Sequence, residues 1–142
     1  MKKLAMVVTL SILSFISFGQ KVKEKNVPQV IKTALHQKYS NAKEIKWDKE
    51  ENNYEASFDI NGVDNSVLFS QDGKIVETEV EIQINQLPKN ALDYLNVNFK
   101  NARIKEAAKI INLKGKIIFE AEIKTYDILF DEKGGFISKN KV

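Results

Sequence analysis

The 142-residue chain has no cysteine, one histidine, one tryptophan and two prolines. Without cysteine there is no disulfide scaffold, zinc–cysteine site, thiol nucleophile or lipid-modified cysteine, so the fold must stand on burial alone. The lone histidine, His36, cannot build an imidazole metal pair. Lying beside the apolar stripe of a helical pattern, it reads as a surface or boundary residue rather than as the base of a Ser-His-Asp triad. Neither the metalloprotease spacing nor a phosphate-cradling glycine loop occurs, and Gly134-Gly135 precedes a strand pattern instead of opening a helix. Residues 61–66 and 70–74 lack the Asp-rich, glycine-bearing loop of a Ca²⁺ site. Nothing in the sequence calls for a metal or a cofactor. The few prolines, with 43% hydrophobic and 29% charged residues, also exclude disorder and collagen-like structure.

Beyond the first eighteen residues no long hydrophobic run is present. Lys2 and Lys3, an apolar stretch from Leu4 to Phe18, and the small residues Ser17 and Gly19 have the three-part form of a secretory signal peptide. A leader over residues 1–19 is therefore expected, with no permanent membrane span after its removal and a periplasmic or secreted address. The mature chain would carry 20 basic and 19 acidic side chains, which removes the electrostatic argument for nucleic-acid binding.

What is present is a duplication with a spacing of about 60 residues. Val27-Pro28 returns as Leu87-Pro88, Leu35 as Leu95, Tyr39 as Phe99, and Asn41-Ala42-Lys43 as Asn101-Ala102-Arg103. Tyr54-Glu55-Ala56 answers to Phe119-Glu120-Ala121, and Phe69 with Asp72-Gly73 to Phe130 with Gly134. Each copy opens with an amphipathic helix of about three turns, started by its proline, with Asn26 or Asn85 as a capping candidate. The apolar period then switches to two, and Asn61-Gly62, Asp72-Gly73, Gly115 and Gly134-Gly135 supply turns. The pattern predicts an α+β fold: two tandem units, residues 20–84 and 85–142, each one helix followed by about four antiparallel strands, helices on one sheet face.

These residues resemble the PepSY-like, β-lactamase-inhibitor-like family of proteins exported by Bacteroidetes-type bacteria. The resemblance is carried by Val27-Pro28, Tyr39-Ser40-Asn41-Ala42, Lys46-Trp47, Tyr54-Glu55-Ala56, Phe69-Ser70-Gln71-Asp72-Gly73 and Leu87-Pro88, and it covers essentially all of the mature chain. Ser40 and Lys100 depart from it where proline often follows the aromatic, and the second copy has no tryptophan matching Trp47. The resemblance implies a sheet face that binds a protein or peptide and no catalytic residues; inhibition of a β-lactamase is not implied.

Carboxylates are the plentiful reactive groups, and they are unevenly placed. Residues 51–83 hold eight acids against one lysine, whereas the segments before and after carry a basic excess. Strand parity points Glu77, Glu79 and Glu81 one way, as it does Glu55, Ser57 and Asp59, and Glu120 with Glu122. The reading is an acidic sheet face opposite a basic helical layer. Those eight residues are the candidate partner-binding set, for a cationic protein or peptide of the cell envelope. Two alternatives stay open. Residues two apart on a strand lie roughly 6.6–6.8 Å from each other, within reach of the carboxyl separation of inverting glycosidases, so a small glycan hydrolase is conceivable. A structural envelope protein, its charges serving solubility, needs no ligand at all. The aromatics Trp47, Tyr54, Phe58, Phe69, Phe119 and Phe130 keep the apolar parity and are read as core.

Overall fold

A computed structural model describes residues 19–141, so the expected leader lies, but for Gly19, outside the described residues. The chain runs β1 (Gln20–Val22), a 3-10 turn (Glu24–Asn26), α1 (Gln29–Lys38), β2 (Lys43–Glu50), β3 (Asn53–Ile60), β4 (Val63–Phe69) and β5 (Ile75–Ile82). It then repeats the order with a 3-10 turn (Ile84–Gln86), α2 (Lys89–Asn98), β6 (Ile104–Asn112), β7 (Ile117–Ile123), β8 (Tyr126–Asp131) and β9 (Phe136–Lys141). All nine strands form one antiparallel sheet in sequence order, the last strand of the first run pairing with the first strand of the second.

Alternation along the strands decides which face the helices cover. Trp47, Ala56, Phe58, Val67 and Phe69 point to one side and close over Val27, Ile31 and Leu35 in a first core. Ala107, Ala121, Ile123, Ile128 and Phe130 do the same over Leu87, Ala91 and Leu95 in a second. Each large side chain so buried contributes about 1.5–3 kcal/mol, which is how the chain manages without a cross-link. The two cores reach similar packing by different means. Where the first has Ile31 and Trp47, the second has Ala91 and Ala107, and Ala34 is answered by Tyr94. The Tyr94 ring packs on this core, meeting Phe130 edge-on at 5.7 Å, and takes up part of the space that the two alanines give up; it also stacks on the half-exposed Phe136 at 4.9 Å.

Three local expectations are corrected. Asn26 and Asn85 do not cap the helices: both lie in the 3-10 turns, and Pro28 and Pro88 occupy the N-cap positions with no side-chain cap bond. The alternation Val76, Thr78, Val80, Ile82 carries on to Ile84 in the sequence, but Ile84 belongs to the second 3-10 turn and is 40% exposed, so β5 ends at Ile82. β1, too short to show periodicity, adds an edge strand along β2.

Gly73 and Gly134, in the hairpins β4–β5 and β8–β9, do more than turn the chain. Both have positive φ, and each lies against the start of its helix. A Cβ on Gly134 would come within 2.6 Å of the Ala91 amide nitrogen and 2.9 Å of the Pro88 Cβ, whereas one on Gly115 would meet nothing within 4 Å. Left-handed backbone costs a non-glycine residue about 1–2 kcal/mol at either place, and only Gly134 adds a clash with backbone. Gly134→Ala should therefore lower stability by at least about 2 kcal/mol more than Gly115→Ala, read from denaturant midpoints. Equal losses would mean that the hairpin does not seat the helix.

Candidate functional site

The face turned away from the helices is open, and its composition follows from the same alternation. Every second residue of β3 that avoids the core, Glu55, Ser57 and Asp59, points there, and so do Glu79 and Glu81 of β5 and Glu120 and Glu122 of β7. The sheet curves these seven positions around one groove of about 430 Å³. Glu77, the remaining member of the expected set, opposes Leu68 and Asn112 beyond the groove's lining. Sequence parity missed Glu44, Asp64 and Glu106, which bring the lining to nine acids, with Lys46 as its one cation. The signal for Glu106 was available, since it follows Lys46 by the 60-residue repeat spacing and reverses its charge.

The register sets the neighbours. Ser57 lies opposite Lys46 on β2 and Ser66 on β4, and Ser66 in turn opposes Glu79. Glu120 lies between Ala108 on β6 and Leu129 on β8. Glu122 opposes Glu106 on one side and Asp127 on the other, and Asp59 opposes Asp64. Like charges placed directly opposite each other destabilise a sheet. Relief is sparse: Lys105 Nζ donates to Glu122 Oε1 at 2.8 Å and also to the Lys124 carbonyl oxygen. The expected basic helical layer is only weakly developed, because the helices carry Lys32, Lys38, Lys89 and Asp93, and the last two pair with each other. More of the lysine excess gathers around the β1 edge, at Lys21, Lys23, Lys25 and Lys49.

Crowding and burial shift the titration of the groove. Burial, then the neighbouring Glu50 and Glu79, push Glu55 up to about 7 against a hydrogen bond from Ser66. Glu50 is itself a buried acid, 8% exposed. Glu79 is raised to about 7 by burial and by Glu77, Asp127 and Glu106. Glu120 is raised to about 8 by burial and then by Glu79, Asp127, Glu122 and Glu77. Burial also raises Glu77 and Asp127. Glu55 and Glu120 occupy corresponding places in the two cores' strands, so each run contributes one such carboxyl and Glu79 stands between them. Among the described residues no group of three or more His, Cys, Asp or Glu side chains is arranged to hold a metal ion. His36 is exposed on α1 and takes no part.

The comparisons with known proteins agree with this architecture. Residues 17–77 and 54–138 match the family described as "Putative beta-lactamase-inhibitor-like, PepSY-like", and the chain belongs to that family. A putative periplasmic protein of Bacteroides eggerthii superposes with a TM-score of 0.74 at 21% identity, over 81% of this chain and 88% of its own. A DUF2874 family protein of Bacteroides uniformis gives 0.72 at 21% identity, over 80% and 88%. A BLIP-like protein of Bacteroides fragilis gives 0.60 at 25% identity, over 81% and 86%. No curated protein matches the chain. No helix among the described residues is long and apolar enough to cross a membrane.

The raised carboxyls make a prediction of definite sign. Folded, Glu120 keeps its proton to about pH 8, whereas in the unfolded chain it releases it near pH 4.3. The folded state thus binds the extra proton between these limits, and stability falls as pH rises through them. The melting temperature should drop between about pH 5 and pH 8. Glu120→Gln should flatten that slope and stabilise the protein at pH 8 by on the order of 1–3 kcal/mol. A melting temperature that climbs steadily over the same range would contradict the assignment.

Proposed function

We propose that the chain is an exported, non-enzymatic binding module made of two copies, residues 20–84 and 85–142, whose open sheet face receives a cationic segment of a protein or peptide in the cell envelope. Inhibitor-like action on an envelope enzyme is one form that role takes. The observation that carries the reading is the groove itself, about 430 Å³ in volume and lined by nine acids and one lysine. Packing does not require those charges, because the two helix-covered cores lie on the other face and the small buried cluster on this one, Ile110, Ile118 and Leu129, is apolar. The surplus lowers the stability of the isolated sheet, and a cationic partner would offset it, setting approach rate and orientation as well. The periplasmic and BLIP-like descriptions of the structural neighbours support an envelope setting and a protein partner.

The test is the anisotropy of a labelled lysine-rich peptide titrated with the mature protein, beside a glutamate-rich control. Binding should be confined to the basic peptide and weaken roughly tenfold between about 50 and 200 mM salt. It should be lost in the triple variant Glu79→Lys, Glu81→Lys, Glu122→Lys. Absence of binding, or equal binding of both peptides, would refute the proposal and favour a structural envelope protein.

One feature favours a second reading. Glu120, protonated up to about pH 8, lies two residues from Glu122, whose carboxylate is held by Lys105. A protonated acid beside a second carboxyl group is the arrangement that glycoside hydrolysis uses. Release of reducing ends from cell-wall glycans by the wild type, abolished in Glu120→Gln, would establish a hydrolase in place of a binding module.

A further inference from the structure

The two runs of elements share a strand, and the sharing leaves one edge of the sheet unfilled. β8 and β9 pair as β4 and β5 do: Phe130 with Phe136 repeats Phe69 with Ile75, Leu129 with Ser138 repeats Leu68 with Glu77, and the bulge between these pairs is kept. At the opposite end of the sheet, β1 lies on β2 as the end of β5 lies on β6, since Val22 with Trp47 matches Ile82 with Ala107. β5 therefore closes the first run and opens the second. β9 closes the second run as the last strand of the sheet, so the edge that in β5 holds β6 carries no strand among the described residues. Ser138 to Lys141 stand where Glu77 to Val80 take Asn112, Ile111, Ile110 and Lys109 as partners.

The side chains along this edge differ from those at the matching place in the first run. Ala34, Gln37 and Ile75 are replaced by Tyr94, Val97 and Phe136. Tyr94 stacks on Phe136, which is 46% exposed, and Val97, one turn farther along the same flank of α2, is 69% exposed. Lys139 and Lys141 are exposed on the same side of the sheet, and among the described residues neither has an acidic partner. Lys139 leans over the Tyr126 ring instead, 4.4 Å from its centre. Charge then decides the occupant. Antiparallel pairing of β9 with itself, helix sides together, sets lysine opposite lysine, and β1, the other free edge, is surrounded by Lys21, Lys23, Lys25 and Lys49. Like charges opposed across strands destabilise both arrangements, which excludes a second molecule of this chain at either edge.

We propose that the free edge of β9 takes an extended acidic segment of a partner protein as a tenth antiparallel strand, in the place that β6 holds on β5. Strand addition supplies main-chain hydrogen bonds, and alternate side chains supply the choice of partner. The segment carries acids opposite Lys141 and Lys139 and, two residues on, an apolar side chain that reaches Phe136 and Val97. No residue of β8 or β9 lines the acidic groove, so this surface is separate from the one proposed above for a cationic segment.

The chain's own β6 supplies the probe. A fluorescein-labelled peptide with the sequence of residues 104–113, carrying Lys109→Glu and Ile111→Glu, has two acids and Leu113 in the required order. Titrated with the mature protein, it should gain anisotropy, and at saturation amide exchange in β9 should slow at least about tenfold while β1 stays unchanged. The neutral counterpart, with Lys109→Gln and Ile111→Gln, should bind about tenfold more weakly. Alternate backbone amides of the acidic peptide are then N-methylated in two phases. Because only one set faces β9, one phase should weaken binding at least about tenfold and the other should leave it intact. No binding, protection gained at β1 or in the groove strands in place of β9, equal binding of the neutral peptide, or equal loss in both methylation phases would overturn the proposal.

Discussion

Burial of one side of a single sheet beneath two short helices is the constraint from which the rest follows. A chain with no cross-link has to place its aromatic and branched side chains where helices can close over them, and Phe69 and Phe130, both fully buried, lie at matching depths in the two cores. Once that side is committed, strict alternation turns the intervening residues to the opposite side, which no element covers. The open face is thus a direct consequence of how the core is made. Its extent, spanning both runs of elements, follows from the pairing of β5 with β6.

Ordinary solubility would be met by mixed charges. Here the groove gathers carboxylates that oppose one another across strands, as Glu122 does with both Glu106 and Asp127. Half-buried, like-charged and short of cations, Glu55, Glu79 and Glu120 release their protons reluctantly, and the face is less stable in its ionised form than an alternating lysine and glutamate surface would be. Such an expense at one place, beside cores packed with few compromises, is the usual mark of a surface kept for something other than folding. Family membership and the superposition on solved structures from Bacteroides establish the fold on which this face is built.

Much of the architecture could be read from residue order because it rests on local periodicity. The prolines at 28 and 88, the switch from a period of 3.6 to two, and the Asn61-Gly62 and Asp72-Gly73 turns located both helices and eight of the nine strands. What escaped was whatever depends on partners distant in sequence. Three residues of β1 carry no pattern of their own and become a strand only by lying along β2. Asn26 and Asn85 had the composition of caps, yet tight 3-10 turns ahead of the prolines took them instead. The exchange of Ile31 and Trp47 for Ala91 and Ala107 reads as a loss of core, and it is the Tyr94 ring, packed against Phe130, that takes up part of the space. Parity identified the acids of the open face, but curvature decided that Glu106 and Asp64 would join the groove and that Glu77 would fall outside it.

The strand order has a kinetic consequence. Because every strand pairs with its neighbours in sequence, no segment has to wait for a distant partner, and loop-closure entropy stays small at each step. A chain delivered from its N-terminus can complete its first helix and hairpins, bury Phe69 and Trp47, and offer β5 as a template before β6 arrives. Assembly by addition to a growing edge keeps few unsatisfied strands waiting at any moment, which is how a polypeptide without covalent staples limits its exposure to aggregation and proteolysis while it forms.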